Sequence, residues 1–271
     1  VNFGAYAAQP DDELDLLEGA LLIASDARPG LDPHAVEDEI DGLAAPLKAR
    51  RIGELPAPTQ ARVLADHLFV GFGFHGNDAD YYDPRNSFLD EVIARRTGIP
   101  ISLSVLYVEV ARRAGVMASP VGFPGHFLVR IDDAERRTVV DPFHGGGALD
   151  EVALADLLRR SGSKLRYSSE LVAPTPVRQV LARMLMNLRG IYASRGDFRR
   201  LLVVIDRLID LMPAATDELR ERGLLLARLG APAGAAEDLT RYVETLPHAD
   251  DVPEVRRFIE RLAGQAARGP S

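Results

Sequence analysis

Apolar residues recur at three- and four-residue intervals through the first hundred positions, the period of helices that bury one face. Leu14, Leu17, Leu21 and Ala24 predict a helix over Asp11 to Ala24, with acidic residues in its first turn, where the helix dipole favours them. Asp32 and Pro33 read as an N-cap and first helical position. Val36, Ile40, Leu43 and Ala44 carry that helix to an end or kink at Pro46. A third helix is expected over Ala61 to Phe69, between Pro56-Ala57-Pro58 and the Gly71/Gly73 pair. A fourth opens at Ser87-Phe88-Leu89-Asp90 in the manner of a capping box and stops at Arg95-Arg96 before Gly98. These four helices form a helical cap.

The pattern changes at Ile101. From there to Gly115 the chain is apolar on nearly all sides. Its β-branched residues favour a strand, but roughly 13 residues is long for one. Arg112-Arg113-Ala114-Gly115 also ends like a helix, so a central core helix is expected. Short alternating segments follow at Ala118–Gly122, His126–Ile131 and Thr138–Asp141. The last two form an antiparallel hairpin through the charged turn 132–137. A helix followed by antiparallel strands implies an α+β domain over residues 1–160.

The Ser- and Pro-bearing stretch 161–176 reads as a linker to a wholly helical remainder, 177–271. There Gly196 recurs as Gly230 and Pro213 as Pro247, the spacing of an approximately 34-residue helix-turn-helix repeat. Leu188, Tyr192, Phe198 and Leu208 fall at matching positions, and Gly223 and Ala235 supply small residues where paired helices approach. These marks resemble two tetratricopeptide repeats, with the helix Val252 to Ala263 as a cap. Arg189 stands where that pattern usually has glycine. Two copies are fewer than a free-standing array needs, so packing against the first domain is expected to supply the missing neighbour.

Composition narrows the function. The 271 residues are 46% hydrophobic and 27% charged, enough apolar surface for folded cores. Cysteine is absent, which removes disulfides, a thiolate nucleophile and any Cys-ligated metal. The net charge of −8 lies in residues 1–50, where 11 acidic side chains face 3 basic ones, a solvated helical surface. No segment is basic enough to suggest a nucleic-acid partner. No window of 18 apolar residues and no basic-then-apolar start are present, so neither a membrane helix nor a secretory signal is expected, and a cytoplasmic place is.

Among six histidines, His126 has company. If the two hairpin strands pair, His126 and Asp141 become neighbours on one face. A carboxylate that fixes one imidazole nitrogen leaves the other free as a base, the second half of a nucleophilic triad. The same pair also serves as a buried hydrogen bond that knits the sheet. Two imidazoles and a carboxylate at His126, Asp141 and His144 are the ligand types of a zinc or non-haem iron centre. His144, however, sits in Phe143-His144-Gly145-Gly146-Gly147, which reads first as a turn, so no metal or cofactor is expected.

The order of core helix, His-bearing strand and Asp-Pro resembles the transglutaminase-like superfamily. The motifs Tyr81-Tyr-Asp-Pro-Arg-Asn-Ser87, Arg96-Thr-Gly-Ile-Pro-Ile-Ser-Leu-Ser104, Gly122-Phe-Pro-Gly-His-Phe-Leu-Val-Arg130 and Asp141-Pro-Phe-His-Gly-Gly146 more closely resemble the invasion-regulator Sir-B type family. That resemblance covers nearly the whole chain. It implies a helix-rich transglutaminase-like (papain-like) domain with a small antiparallel sheet, followed by an all-α tetratricopeptide-like array. It also implies that His126 and Asp141 are the superfamily's catalytic histidine and aspartate, and that its cysteine would fall near Pro100, where proline offers no nucleophile. A non-catalytic interaction or regulatory protein is therefore expected, binding a protein or peptide partner through its helical repeats. The alternative is a divergent hydrolase or amidase that uses Ser102 or Ser104 with His126 and Asp141. Both serines equally suit capping of the first helical turn.

Overall fold

The acidic start folds because its carboxylates cap helices. The structure, a computed structural model, describes residues 2–266. A short helix α1 (Phe3–Ala7) precedes α2 (Leu16–Ala27), whose N-cap Asp15 accepts the Glu18 N–H at 2.8 Å. The expected helix thus starts later and runs three residues further, because Asp15 rather than Asp11 captures the first turn. Asp32 caps α3 (Pro33–Ala49) as predicted, but Pro46 lies inside that helix and does not end it.

Helix α4 (Ala57–Ala65) begins four residues before the expected start and runs into a π-helical turn, Asp66–Gly71. Its first N–H is taken by the carboxylate of Asp133, at 2.6 Å. After the two-residue strand β1 (His75–Gly76) and a 3-10 turn at Pro84–Ser87 comes α5 (Leu89–Arg95). Ser87 does not cap it: the N-cap is Phe88, without a side-chain bond. The helix ends at Arg95 with Arg96 as its left-handed C-cap (φ 55°), the expected stop before Gly98. Strand β2 (Thr97–Gly98) pairs in parallel with β1.

Helix α6 (Pro100–Arg113) is buried from Pro100 to Ala111 and packs against α2, α3, α5 and the sheet. The β-branched content of this segment yields to its burial on all sides. The sheet is antiparallel in the order β3 (Met117–Val121), β4 (Leu128–Asp132), β5 (Arg137–Asp141) and β6 (Gly147–Leu149). Its two faces explain why alternation in β4 and β5 is incomplete. Val121, Leu128 and Val139 join Phe123, Leu154 and Leu158 beneath α7 (Glu151–Arg160), while α4 and α6 lie along the sheet as well. Both faces are dry, so both sets of side chains are apolar.

The stretch 161–176, expected as a linker, is packed. Val172 is buried in the same cluster as Val121 and Leu158, and Thr175 pairs with β3, giving its N–H to the Pro120 carbonyl and accepting the Gly122 N–H on its hydroxyl. It is therefore built into the first domain. Two compact units divide within α8 (Val177–Arg195): one holds Pro10–Met184, the other the residues up to Gln9 together with those from Leu185 on.

In the second unit α9 (Phe198–Leu211), α10 (Thr216–Arg228), α11 (Pro232–Thr245) and α12 (Val252–Ala266) follow at the repeat spacing. Gly196 and Gly230 both take positive φ, 67° and 80°, each closing a helix. A Cβ on Gly223 would stand 2.7 Å from Leu239 and 3.2 Å from the Ala235 carbonyl, so the small residues mark the close crossing of α10 and α11. Arg189, the departure from the repeat pattern, extends from α8 to Glu218 (2.8 Å) and Glu221 on α10. Arg222 of α10 likewise joins Asp206 of α9 and Asp238 of α11. Helix α1 packs on α9 within this unit, with Arg207 over the Phe3 ring, and so does not belong to the helical cap.

Candidate functional site

The site forms where β5 ends. Asp141 is its last residue, and Pro142–His144 turns away in one 3-10 turn with Gly145 and Gly146 both at positive φ (86° and 73°). This turn, which looked loose in the sequence, is fastened. The Gly146 N–H bonds the Asp141 carbonyl at 2.7 Å, and Asp141 Oδ1 accepts the N–H groups of Phe143 and His144. Gly147, grouped in the sequence with a flexible run, opens β6.

His126 lies in the turn before β4 rather than in the strand itself. The register Val129↔Val140 sets Leu128 near Asp141, so His126 reaches the carboxylate diagonally from outside the ladder. Contact is made all the same: His126 Nε2 stands 3.0 and 2.9 Å from the two Asp141 oxygens. His144 Nδ1 stands 2.7 Å from Asp141 Oδ2. The imidazoles of His126 and His144 stack at 5.7 Å between centroids, 29° apart, and the Phe143 ring meets both edge-on. The His126 and Asp141 side chains are 9% and 6% exposed and that of His144 62%, so the cluster is dry behind and open in front.

Burial alone would push the Asp141 carboxyl up. The hydrogen bonds and charges of His126, and after it His144, overcome that and hold it below the ordinary carboxylate value. Among the described residues His126 Nδ1 has no hydrogen-bond partner, so the imidazole is oriented through Nε2 with its second nitrogen available.

The nucleophile position is filled differently. Pro100 is the first residue of α6, and Ser102, two residues on, is fully buried. Ser102 Oγ donates to the Asn86 carbonyl at 2.6 Å and accepts the Ile99 N–H at 3.1 Å. Ser104 is equally buried, with its hydroxyl directed at the Phe127 carbonyl at 3.4 Å. Among the described residues neither hydroxyl bonds an imidazole. The serines act as caps and core bonds, while His126, Asp141 and His144 come together without them.

Two neighbours complete the surroundings. Tyr81, from the loop held by Asn86 (whose Nδ2 donates to the Asp80 carbonyl at 2.8 Å), lies edge-on to Phe143. Burial pushes the Tyr81 phenol up, as does neighbouring Tyr82, with Arg183 opposing. Arg183, which sequence reasoning missed, donates to the His126 carbonyl at 3.1 Å and covers the Phe127 ring at 5.0 Å. It stands on α8, where the repeat pattern directed attention to the other helical face. Gly122 is the signal that could have located it, since a Cβ there would meet the guanidinium at 2.9 Å. Of the other histidines, His67 bonds the Leu43 carbonyl of α3, His75 the Gly73 carbonyl, and His34 reaches Glu37.

The family model of the transglutaminase-like superfamily matches residues 34–186, the stretch that holds α6, the four-stranded sheet, His126 and Asp141. The chain belongs to that superfamily, in its SirB-type branch. A tetratricopeptide-repeat model matches residues 188–260. The chain is 37% identical over 268 residues to a UPF0162 protein of Xylella fastidiosa (strain 9a5c), which covers 97% of this chain and 95% of that protein. Protein SirB1 of Salmonella typhimurium is 27% identical over 251 residues, with 92% and 93% covered. F-box only protein 21 of Homo sapiens is 31% identical over 258 residues, 84% of this chain but 40% of that longer protein. This SirB-type chain thus joins a transglutaminase-like domain to tetratricopeptide repeats, a module class that generally mediates protein–protein interaction. Among the described residues no helix is long and apolar enough to cross a membrane.

Proposed function

We propose that the chain is a non-catalytic, cytoplasmic regulatory module whose transglutaminase-like domain keeps an oriented His126–Asp141 pair without a nucleophile, and whose helical repeats hold a protein or peptide partner. The observation that carries this reading is the first turn of α6. Pro100 has no nucleophilic atom, the chain has no cysteine, and the Ser102 hydroxyl is committed to Asn86 and Ile99. A base with an orienting carboxylate does no acyl chemistry until an attacking atom stands beside it. Because Ser104 is turned toward the Phe127 carbonyl, the hydrolase alternative lacks a hydroxyl in hydrogen-bond reach of the imidazole.

The test compares the full chain with its His126→Ala variant on ester, amide and glutamine-transfer substrates. Neither protein is expected to turn over substrate above the background reaction. Turnover by the unmodified chain that disappears with His126 overturns the reading. A photo-crosslinking residue at Leu224, exposed on α10, is expected to join one discrete partner in cells.

A further inference from the structure

The pair of imidazoles on one carboxylate has more in it than a triad uses. A triad needs a single histidine on its aspartate. Here His144 Nδ1 and His126 Nε2 converge on the same oxygen, Asp141 Oδ2, at 2.7 and 2.9 Å, and the three ligand atoms all lie within 4.8 Å of one another. We propose that His126, Asp141 and His144 form a binding site for one divalent transition-metal ion of the zinc type, open to solvent on the His144 side.

The chemistry of the donor set fits. Two imidazoles and one carboxylate are borderline ligands suited to zinc, cobalt or ferrous iron. Bonds of about 2.0–2.1 Å to a tetrahedral ion place its ligands about 3.3 Å apart, so the two N···O separations of 2.7 and 2.9 Å open by roughly half an ångström while the two ring nitrogens, within 4.8 Å of each other, draw together to the same spacing. Each neutral imidazole would then give the lone pair of His126 Nε2 or His144 Nδ1 to the ion, with its N–H proton carried on the other ring nitrogen and any second proton of a charged ring released to solvent. With both rings neutral the cluster carries one negative charge, which a dication more than offsets.

The protein also holds the ligands as a metal site requires. Asp141 Oδ1 is pinned by the N–H groups of Phe143 and His144, which leaves Oδ2 to point at both rings. Fixing a ligand carboxylate through its second oxygen is the usual outer-shell device of such centres. The 3-10 turn Pro142–His144 sets His144 over Asp141, and the positive-φ glycines at 145 and 146 close it through the bond from the Gly146 N–H to the Asp141 carbonyl. Two of the three ligands are almost fully buried, while His144 is exposed, so the remaining coordination positions face water or a ligand. This assignment stands apart from the proposed loss of catalysis, because the ion would bind whether or not acyl chemistry occurs.

The experiment uses the full chain after chelator treatment. Zinc is titrated by calorimetry and cobalt by its visible d–d absorption, with the thermal midpoint recorded with and without zinc. One ion per chain, a tetrahedral-type cobalt spectrum and a raised midpoint are expected. His144→Ala, at the exposed ligand, should keep the circular dichroism of the parent, weaken binding at least tenfold and abolish the zinc-dependent rise. Asp141→Asn should do the same, and His34→Ala, remote from the cluster, should change nothing. No saturable one-to-one binding, or binding of equal strength in His144→Ala, overturns the proposal.

Discussion

Ser102 fastens the first turn of α6 to Asn86: its hydroxyl donates to the Asn86 carbonyl at 2.6 Å while accepting the Ile99 N–H at 3.1 Å. Asn86 in turn holds the loop that presents Tyr81 beside Phe143. Because both backbone groups are buried with the serine, Ser102→Ala leaves them without this partner. A loss of about 1–3 kcal/mol is expected, read by chemical denaturation. Ser102→Thr, which keeps the hydroxyl, is expected to recover part of that loss, while Gly98→Ala, whose Cβ would stand 2.8 Å from Ser102 Oγ, is expected to disturb the same bonds.

The turn after Asp141 separates two costs that glycine avoids. Gly145 and Gly146 both take positive φ, but a Cβ on Gly145 would meet nothing within 4 Å, whereas one on Gly146 would strike the Phe69 ring at 2.4 Å. Gly145→Ala should therefore cost about 1–2 kcal/mol from backbone strain alone. Gly146→Ala should cost about 1–3 kcal/mol more, from overpacking against Phe69. Comparing their denaturation midpoints checks the order, and equal losses would refute it.

Much of the architecture was readable because period and punctuation agree. The length of the Ile101–Gly115 stretch and its Arg-Arg-Ala-Gly ending outweighed its β-branched residues, and α6 occupies that stretch. Gly196 and Gly230 marked two helix ends one repeat apart, and both are left-handed. What stayed hidden depends on distant partners. Ser87 has a capping residue's chemistry, but Phe88 takes the N-cap place and, among the described residues, the buried Ser87 hydroxyl has no hydrogen-bond partner. Val172 and Thr175 look like linker residues until the β3 edge and the α7 cluster are in place. At the site, the residue types were visible but not their convergence. His126 reaches Asp141 from a turn, and His144 joins through the 3-10 turn that starts at Pro142.

In the repeat unit, two glycines predict opposite outcomes. Gly223 lies at the α10–α11 crossing, and Ala there would press on Leu239 and the Ala235 carbonyl. A destabilisation of about 1–3 kcal/mol is expected. Gly190 is exposed in α8, where a Cβ would meet nothing within 4 Å among the described residues, so Gly190→Ala should stabilise by about 0.5–1 kcal/mol through helix propensity. Thermal unfolding of the pair shows midpoints moving apart.

Asp133 supplies the pH test. Its carboxylate accepts the Ala57 N–H that opens α4, and then the N–H groups of Glu135 and Arg136 in the hairpin turn. These bonds, that from Ala57 foremost, hold its pKa below the usual aspartate value of 3.8. A depressed folded value means the contribution is fully present above about pH 4 and fades as pH falls through the folded pKa. Asp133→Ala should lower the thermal midpoint at pH 7, and the gap from the parent should close below pH 3.8. A gap constant across that range would refute the assignment.

Tyr107, wholly buried on α6, stacks on Phe69 at 6.2 Å, and Phe69 is the ring beneath Gly146. Because the chain has no tryptophan, tyrosine dominates its near-ultraviolet dichroism and its intrinsic emission. The packing behind Gly146 thus includes a tyrosine, so rearrangement of the 142–146 turn is expected to change that dichroism without attaching a dye.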